Sequence, residues 1–360
     1  MSNVILENKY PKTSWANSTE IDIQKSLGGD FSLSVGDFVG RSEYYIADSS
    51  NINKEFIKVL IRDPENDDIQ RRVTGEQLAS ELDFPCVPRF SPLTSKRIVE
   101  SSRYPGDYYV VSDFKEGVLP LSSEGSGIDN SIINSFGRFI QSLETIAIPS
   151  AFSGRKAADS VGMLYFLSKL EESATLSLLP RGGAEVLSLI RGESDLISEL
   201  YFEIEGKCER SVFSHGDLKA SQLLQADDGS VFVCDWEECG AAPVLSDLSF
   251  AAADLFYGQI RSIVDEHLAK TEDWRGLSKA YDEAAEKAAN QVLHLVDGYV
   301  GARGDPLSRT EERLFEARLG LAGLFRLYTV SAKSNVVRPR ELALASIGVQ
   351  IASDRGLTFF

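Results

Sequence analysis

The chain has 360 residues, 43% hydrophobic and 25% charged, which excludes long disorder and leaves room for two modest lobes. A formal net charge of −17 repels phosphate backbones, so no nucleic-acid partner is expected, while a cationic substrate would be drawn in. The same acidity also serves solubility alone. No run reaches the roughly 18 apolar residues of a membrane helix. The N-terminal MSNVILENKYPKTSW lacks the basic and apolar regions of a secretory signal, so no membrane is expected and the cytoplasm is the expected location. Cys86, Cys208, Cys234 and Cys239 match no zinc spacing and read as buried thiols.

In chain order, the first thirty residues give no clear element; an arm packed on the first lobe and a partner-binding segment are both open. Runs rich in Phe, Tyr, Val and Ile then predict strands over 31–36, 44–48, 55–61 and 107–114. One helix is predicted among them, over 68–82, where Ile69, Val73, Gln77, Leu78 and Leu82 form a partial stripe. After residue 117 the period turns helical. Ile132, Ile133, Phe136, Phe139, Ile140 and Leu143 recur at helical spacing, as do apolar residues in 161–172, 184–204, 247–269, 277–300 and 309–331. Pro149, Gly182–Gly183 and Gly304-Asp305-Pro306 read as breaks. A β-rich part followed by a helical part predicts an α+β, two-lobed protein: a lobe over 1–112, a linker over 113–117 and a helical lobe over 118–360.

One stretch of the second half breaks the helical pattern. Residues 211–239, SVFSHGDLKASQLLQADDGSVFVCDWEEC, read as strand, polar loop, strand, turn at Asp228-Gly229 and strand. Asp217, Gln222 and Asp235 stand near strand ends, where a fixed backbone can hold oxygen-bearing side chains in an array. Such an array suits phosphoryl transfer, which needs metal ligands, a carboxylate at the hydroxyl and a cation on the phosphates.

His215-Gly216-Asp217, then Gln222, then Asp235-Trp236-Glu237, resembles the active-site signature of the aminoglycoside phosphotransferase family. That family has the protein-kinase-like fold and includes kinases for sugars and choline-like alcohols. The resemblance implies ATP and Mg2+ as cofactors. It implies that Asp217 takes or orients the hydroxyl proton, and that Gln222 and Asp235 bind the metal. It implies that His215 packs within the loop, and that Asp247, followed by Leu248, braces the loop through backbone hydrogen bonds. Gln222 stands where the family usually has Asn, one methylene longer with the amide oxygen kept. Gly216 stands where protein kinases carry Arg, so no activation-loop phosphate switch is expected.

The resemblance extends upstream. Lys58 lies inside an apolar strand, where an ammonium is unusual unless it reaches a cleft or water. The family's strand Lys contacts the α- and β-phosphates and pairs with a helix Glu; Glu76 is the candidate, with Glu81 as the alternative. The linker backbone at Asp113, Phe114 and Lys115 is the candidate adenine site. Gly36 and Gly40 in a hairpin either approach phosphate or simply make the turn. The specific motifs occupy 211–248.

The expected function is ATP- and Mg-dependent transfer of the γ-phosphate to a hydroxyl of a small molecule, with a cationic antibiotic as the first acceptor considered. Glu171, Glu172, Asp254, Tyr257, Asp265 and Glu266 are candidate acceptor-binding residues or simply helix surface. Two alternatives stay open. One is a Ser/Thr kinase acting on a precursor peptide in lanthipeptide-like biosynthesis, with a partner protein. The other is a catalytically degenerate kinase-fold binding protein.

Overall fold

The computed structural model describes residues 12–28, 31–35, 43–49, 52–62, 69–81, 90–92, 95–113, 119–121, 128–152, 156–157, 179–195, 197–198, 210–227, 229–270, 274–331, 335–336 and 339–352. The chain forms two compact units: one of residues 1–83, 91–119 and 225–238, the other of 84–90, 120–224 and 239–360.

The first unit is built on a five-stranded antiparallel sheet. Its strands are β1 (Ser32–Val35), β2 (Glu43–Ser49), β3 (Ile52–Leu60), β4 (Ser95–Glu100) and β5 (Tyr108–Asp113), ordered β1-β2-β3-β5-β4. Side chains alternate across the sheet. On one face Ile57 and Val59 of β3 join Tyr45, Ala47, Tyr109 and Val111 around Ile23 of helix α1 (Lys12–Leu27). On the other face Leu60 joins Val110 and meets Ile69 and Val73 of helix α2 (Ile69–Ala79). Lys58, two residues before Leu60, therefore faces α2; it lies opposite Val110 in the register with β5. β4 escapes the sequence reading because SKRIVE holds only two apolar residues. It is an edge strand, and Lys96 and Arg97 suit an edge.

The first thirty residues supply α1, which packs on the sheet as an arm. Its anchor is polar. Asp22, 2% exposed, accepts hydrogen bonds from Ser101 Oγ at 2.5 Å, Ser102 Oγ at 2.8 Å and the Tyr109 hydroxyl at 2.5 Å.

The second unit is helical: α3 (Asn130–Thr145), α4 (Arg181–Arg191), α5 (Ser246–Lys270), α6 (Trp274–Arg303), α7 (Arg309–Ser331) and α8 (Pro339–Ala352). α3 and α6 meet backbone to backbone. A Cβ on Gly137 would lie 1.9 Å from Leu295 O, and one on Gly298 would lie 1.9 Å from Asn134 O. Gly182–Gly183, read as a break, instead lie buried in the first turn of α4. Pro180 caps that helix, and the punctuation belongs to it rather than to the glycines. A short antiparallel ribbon, β6 (Ser211–Ser214) with β7 (Gly240–Pro243), flanks the loop 215–222. The helix predicted over 161–172 lies outside the described residues. No described helix is long and apolar enough to cross a membrane.

Candidate functional site

Two clusters of chemistry-bearing side chains form, one in each unit. In the first unit, α2 places Ile69, Val73 and Glu76 on one buried face, so the residues that pack the helix also aim Glu76 at the sheet. Glu76 Oε1 accepts from Lys58 Nζ at 3.1 Å. The same ammonium donates to Asp235 Oδ1 and lies 2.9 Å from Glu237 Oε2. Arg72, one turn before Glu76, donates to Glu237 Oε2 at 2.9 Å, and Arg71 Nη2 lies 3.4 Å from Glu238 Oε2. These contacts tie 225–238, assigned to the second lobe in the sequence reading, to the first unit.

Among the described residues of this cluster, carboxylates outnumber cations. Lys58 and Arg72 face Glu76, Asp235 and Glu237, whose carboxylate oxygens lie within 4.8 Å of one another. Burial raises the Glu76 carboxyl to about 7 although Lys58 opposes the shift; the carboxylates of Asp235 and Glu237 add to it. Asp235 holds a left-handed backbone, φ +71, which is uncommon outside glycine although Asp adopts it more readily than most residues.

In the second unit, Asp217 leads a single 3-10 turn, Ala220–Gln222. Lys219 Nζ donates to Asp217 Oδ2 at 2.6 Å and Gln222 Nε2 donates to the same oxygen at 2.9 Å. Gln222 Oε1 reaches back to accept the Lys219 amide at 3.1 Å. Asp217 Oδ1 has no hydrogen-bond partner among the described residues. Below the loop, Asp247 accepts from Ser214 Oγ at 2.8 Å, His215 N at 2.8 Å and Gly216 N at 3.3 Å. Burial raises the Asp247 carboxyl, opposed by the charge on His215 and by these donors. His215 is fully buried.

Gly36, Gly40, Phe114 and Lys115 lie outside the described residues, as do Glu171 and Glu172. Asp113 closes β5 opposite Glu55. Glu81 lies beyond the end of α2 and is exposed, which leaves Glu76 as the partner of Lys58. Of the candidate acceptor residues, Tyr257 is buried between Gly323 and Gly348, so it offers no surface. Asp254 is occupied by the loop itself: its Oδ2 accepts the Ala220 amide at 2.9 Å.

No family model matches the sequence, and no curated protein matches it either. Solved structures do match. An amicoumacin kinase, hAmiN, in complex with AMP-PNP, Ca2+ and Ami, superposes with a TM-score of 0.58 at 14% identity, covering 97% of this chain and 98% of its own. A choline kinase from Cryptosporidium parvum Iowa II gives 0.56 at 12% identity over 90% and 89% of the two chains. A microcompartment-associated aminopropanol kinase gives 0.56 at 16% identity over 94% and 99%.

The chain has the fold of these kinases. At such identities the likeness is one of fold, and it is the fold implied by the resemblance of 211–248 to the aminoglycoside phosphotransferase signature. Within the kinase fold, sequence reasoning missed Lys219, Glu237, Arg72 and Arg326. Lys219 was open to discovery, since it stands two residues from Asp217 in a polar loop. Glu237 lay in the quoted signature without a partner in view. Arg72 and Arg326 sit in helices where an Arg reads as surface, and only tertiary contacts single them out.

Proposed function

We propose that the protein is an ATP- and magnesium-dependent phosphotransferase acting on a hydroxyl of a small, cationic molecule in the cytoplasm. The observation that carries this reading is the Lys58–Glu76–Asp235–Glu237 cluster of the first unit, present in the same chain as Asp217 with its Oδ1 open. The acceptor class rests on the net charge of −17 and on the fold shared with kinases named for choline, aminopropanol and amicoumacin.

The cluster suits a hard divalent cation: its donors are carboxylate oxygens, and it holds more carboxylate than Lys58 and Arg72 neutralise. Asp235 would hold the metal, with Glu76 or Glu237 as the further oxygen donor in place of the expected Gln222, whose amide oxygen accepts the Lys219 amide and whose Nε2 donates to Asp217. When bound, magnesium neutralises charge on the phosphates. Lys58, braced by Glu76, binds the α- and β-phosphates. Asp217 Oδ1 accepts the hydrogen bond of the acceptor hydroxyl and takes its proton. The acceptor oxygen forms a bond to the γ-phosphorus as the bond to the β–γ bridging oxygen breaks, and ADP leaves. Lys219 and Gln222 fix the rotamer of Asp217, so the chemistry is chiefly positioning and electrostatics.

The test is mass spectrometry of Mg-ATP reactions over amino alcohols and hydroxylated cationic antibiotics, with neutral sugars and Ser/Thr peptides alongside. Gain of one phosphoryl group on aminated alcohols, abolished by Asp217→Asn, is the expected result. Phosphorylation of peptides alone would replace this reading by the peptide-kinase one. No transfer with ATP still bound would favour a binding protein.

A further inference from the structure

Asp254 of α5 and Arg326 of α7 come from helices far along the chain from the 217–222 loop, yet both end on its backbone. Asp254 Oδ2 accepts the Ala220 amide at 2.9 Å. Arg326 Nη2 donates to the Leu218 carbonyl at 3.1 Å, and its Nη1 donates to Asp254 Oδ1 at 3.1 Å. The pair thus grips the peptide groups on either side of Lys219, the residue bonded to Asp217 through its side chain and to Gln222 through its amide. The guanidinium is itself held. Its carbon lies 5.9 Å from the centroid of Phe250, whose ring packs edge-on against Phe325. Asp254 and Arg326 are 17% and 19% exposed, so the pair is only weakly screened by water.

We infer that Asp254 and Arg326 are positioning residues for phosphoryl transfer. They touch neither reactant and act by locking the backbone of 218–220, which sets where Asp217 and Lys219 point. The inference rests on the phosphotransferase reading, and it moves Asp254 from the acceptor site to the frame of the loop. Arg is required because two donors in a fixed fork serve two acceptors at once; a single ammonium cannot hold both in that geometry.

The test uses the full chain with Mg-ATP alone, water serving as the acceptor, together with hydrogen exchange of the Ala220 amide. Variants are Arg326→Met, Arg326→Lys, Asp254→Ala and Asp254→Asn, each checked for a cooperative melt. The lock predicts that kcat falls about 10- to 100-fold in Arg326→Met and Asp254→Ala, a loss typical of a misplaced group. The KM for ATP should stay within about twofold, because ATP is bound through Lys58. Asp254→Asn, which keeps an oxygen for Ala220, should be milder than Asp254→Ala, and Arg326→Lys should not restore activity. The Ala220 amide should be protected in the wild type and exchange faster in the variants. Wild-type kcat in a folded Arg326→Met variant would overturn the inference, as would an Ala220 amide unprotected in the wild type. A wild type that hydrolyses no ATP would count against the phosphotransferase reading instead. Ala220 exchange would still decide the lock, lost protection supporting it and unchanged protection overturning it.

Discussion

Lys58 is surrounded by more carboxylate than one ammonium can neutralise, and Glu76, Asp235 and Glu237 differ in what they lose without it. Lys58→Met leaves Glu76 and Glu237 buried with less cationic compensation, and breaking such a buried pair costs about 3–5 kcal/mol. Glu76→Gln is another matter. Burial already holds that carboxyl near 7, so replacing it by an amide at neutral pH removes a charge the fold only half supports. Thermal melts at pH 7 should show a clear loss of Tm for Lys58→Met and a small change for Glu76→Gln, while both weaken ATP binding in calorimetry. Equal losses of stability would contradict this ranking. Lys58, Asp217, Gln222 and Asp235 stood out in the sequence as candidates because each is a polar residue where an element's pattern calls for something else. Lys58 interrupts a strand, and Asp217, Gln222 and Asp235 lie in the stretch 211–239 that breaks the helical half, whereas Glu76 was singled out only by the resemblance. Arg72, Asp254 and Arg326 were not legible as site residues: a charged residue on a helix looks the same whether it meets water or a partner distant in sequence.

At the scale of elements, α1 stands apart because a carboxylate anchors it. Burial pushes Asp22 up, but the hydroxyls of Ser101, Tyr109 and Ser102 outweigh it and hold the carboxyl below its ordinary value. A depressed folded value means the unfolded chain binds more protons in that window. The contribution is therefore complete above the unfolded value of about 3.9 and is lost as pH falls through the folded value. Asp22→Asn should be less stable than wild type at neutral pH, and the gap should close only in strong acid; denaturant melts between about pH 7 and about pH 2 measure it. This polar anchoring also explains why no hydrophobic stripe announced the helix. The crossing of α3 and α6 follows the opposite logic. Gly137 and Gly298 were unremarkable inside long amphipathic runs, yet each admits a backbone where a methyl group cannot fit. Gly298→Ala should cost about 3 kcal/mol or more, since the strain falls on backbone rather than on a side chain that can yield. A Tm unchanged in that variant would show that the helices can part freely.

For the whole molecule, the switch from a strand period to a helical period near residue 117 made the α+β class legible, because a period of two and one of 3.6 cannot be confused over long stretches. The return of 225–238 to the first unit was hidden, since it rests on contacts with residues distant in sequence, among them strand pairing of 231–233 and the ion pairs to Lys58 and Arg72, rather than on any local pattern. Charge also acts at this scale. With a net charge of −17, the KM for a cationic acceptor should rise several-fold between about 0.05 and 0.5 M salt while kcat holds, because screening shortens the reach of the field. An acceptor without charge should show no such dependence in the same assay.

Phosphorus NMR of the reaction with Mg-ATP and an amino-alcohol panel, run beside calorimetry of nucleotide binding, separates the role of Asp217 from that of Lys58. ADP and a phosphate monoester should appear in equal amounts with the wild type. Asp217→Asn should bind ATP and form neither product, whereas Lys58→Met should fail at binding. Turnover retained by Asp217→Asn, or ATP bound as tightly without Lys58 as with it, would contradict the division of labour between Asp217 and Lys58 on which the proposed function rests.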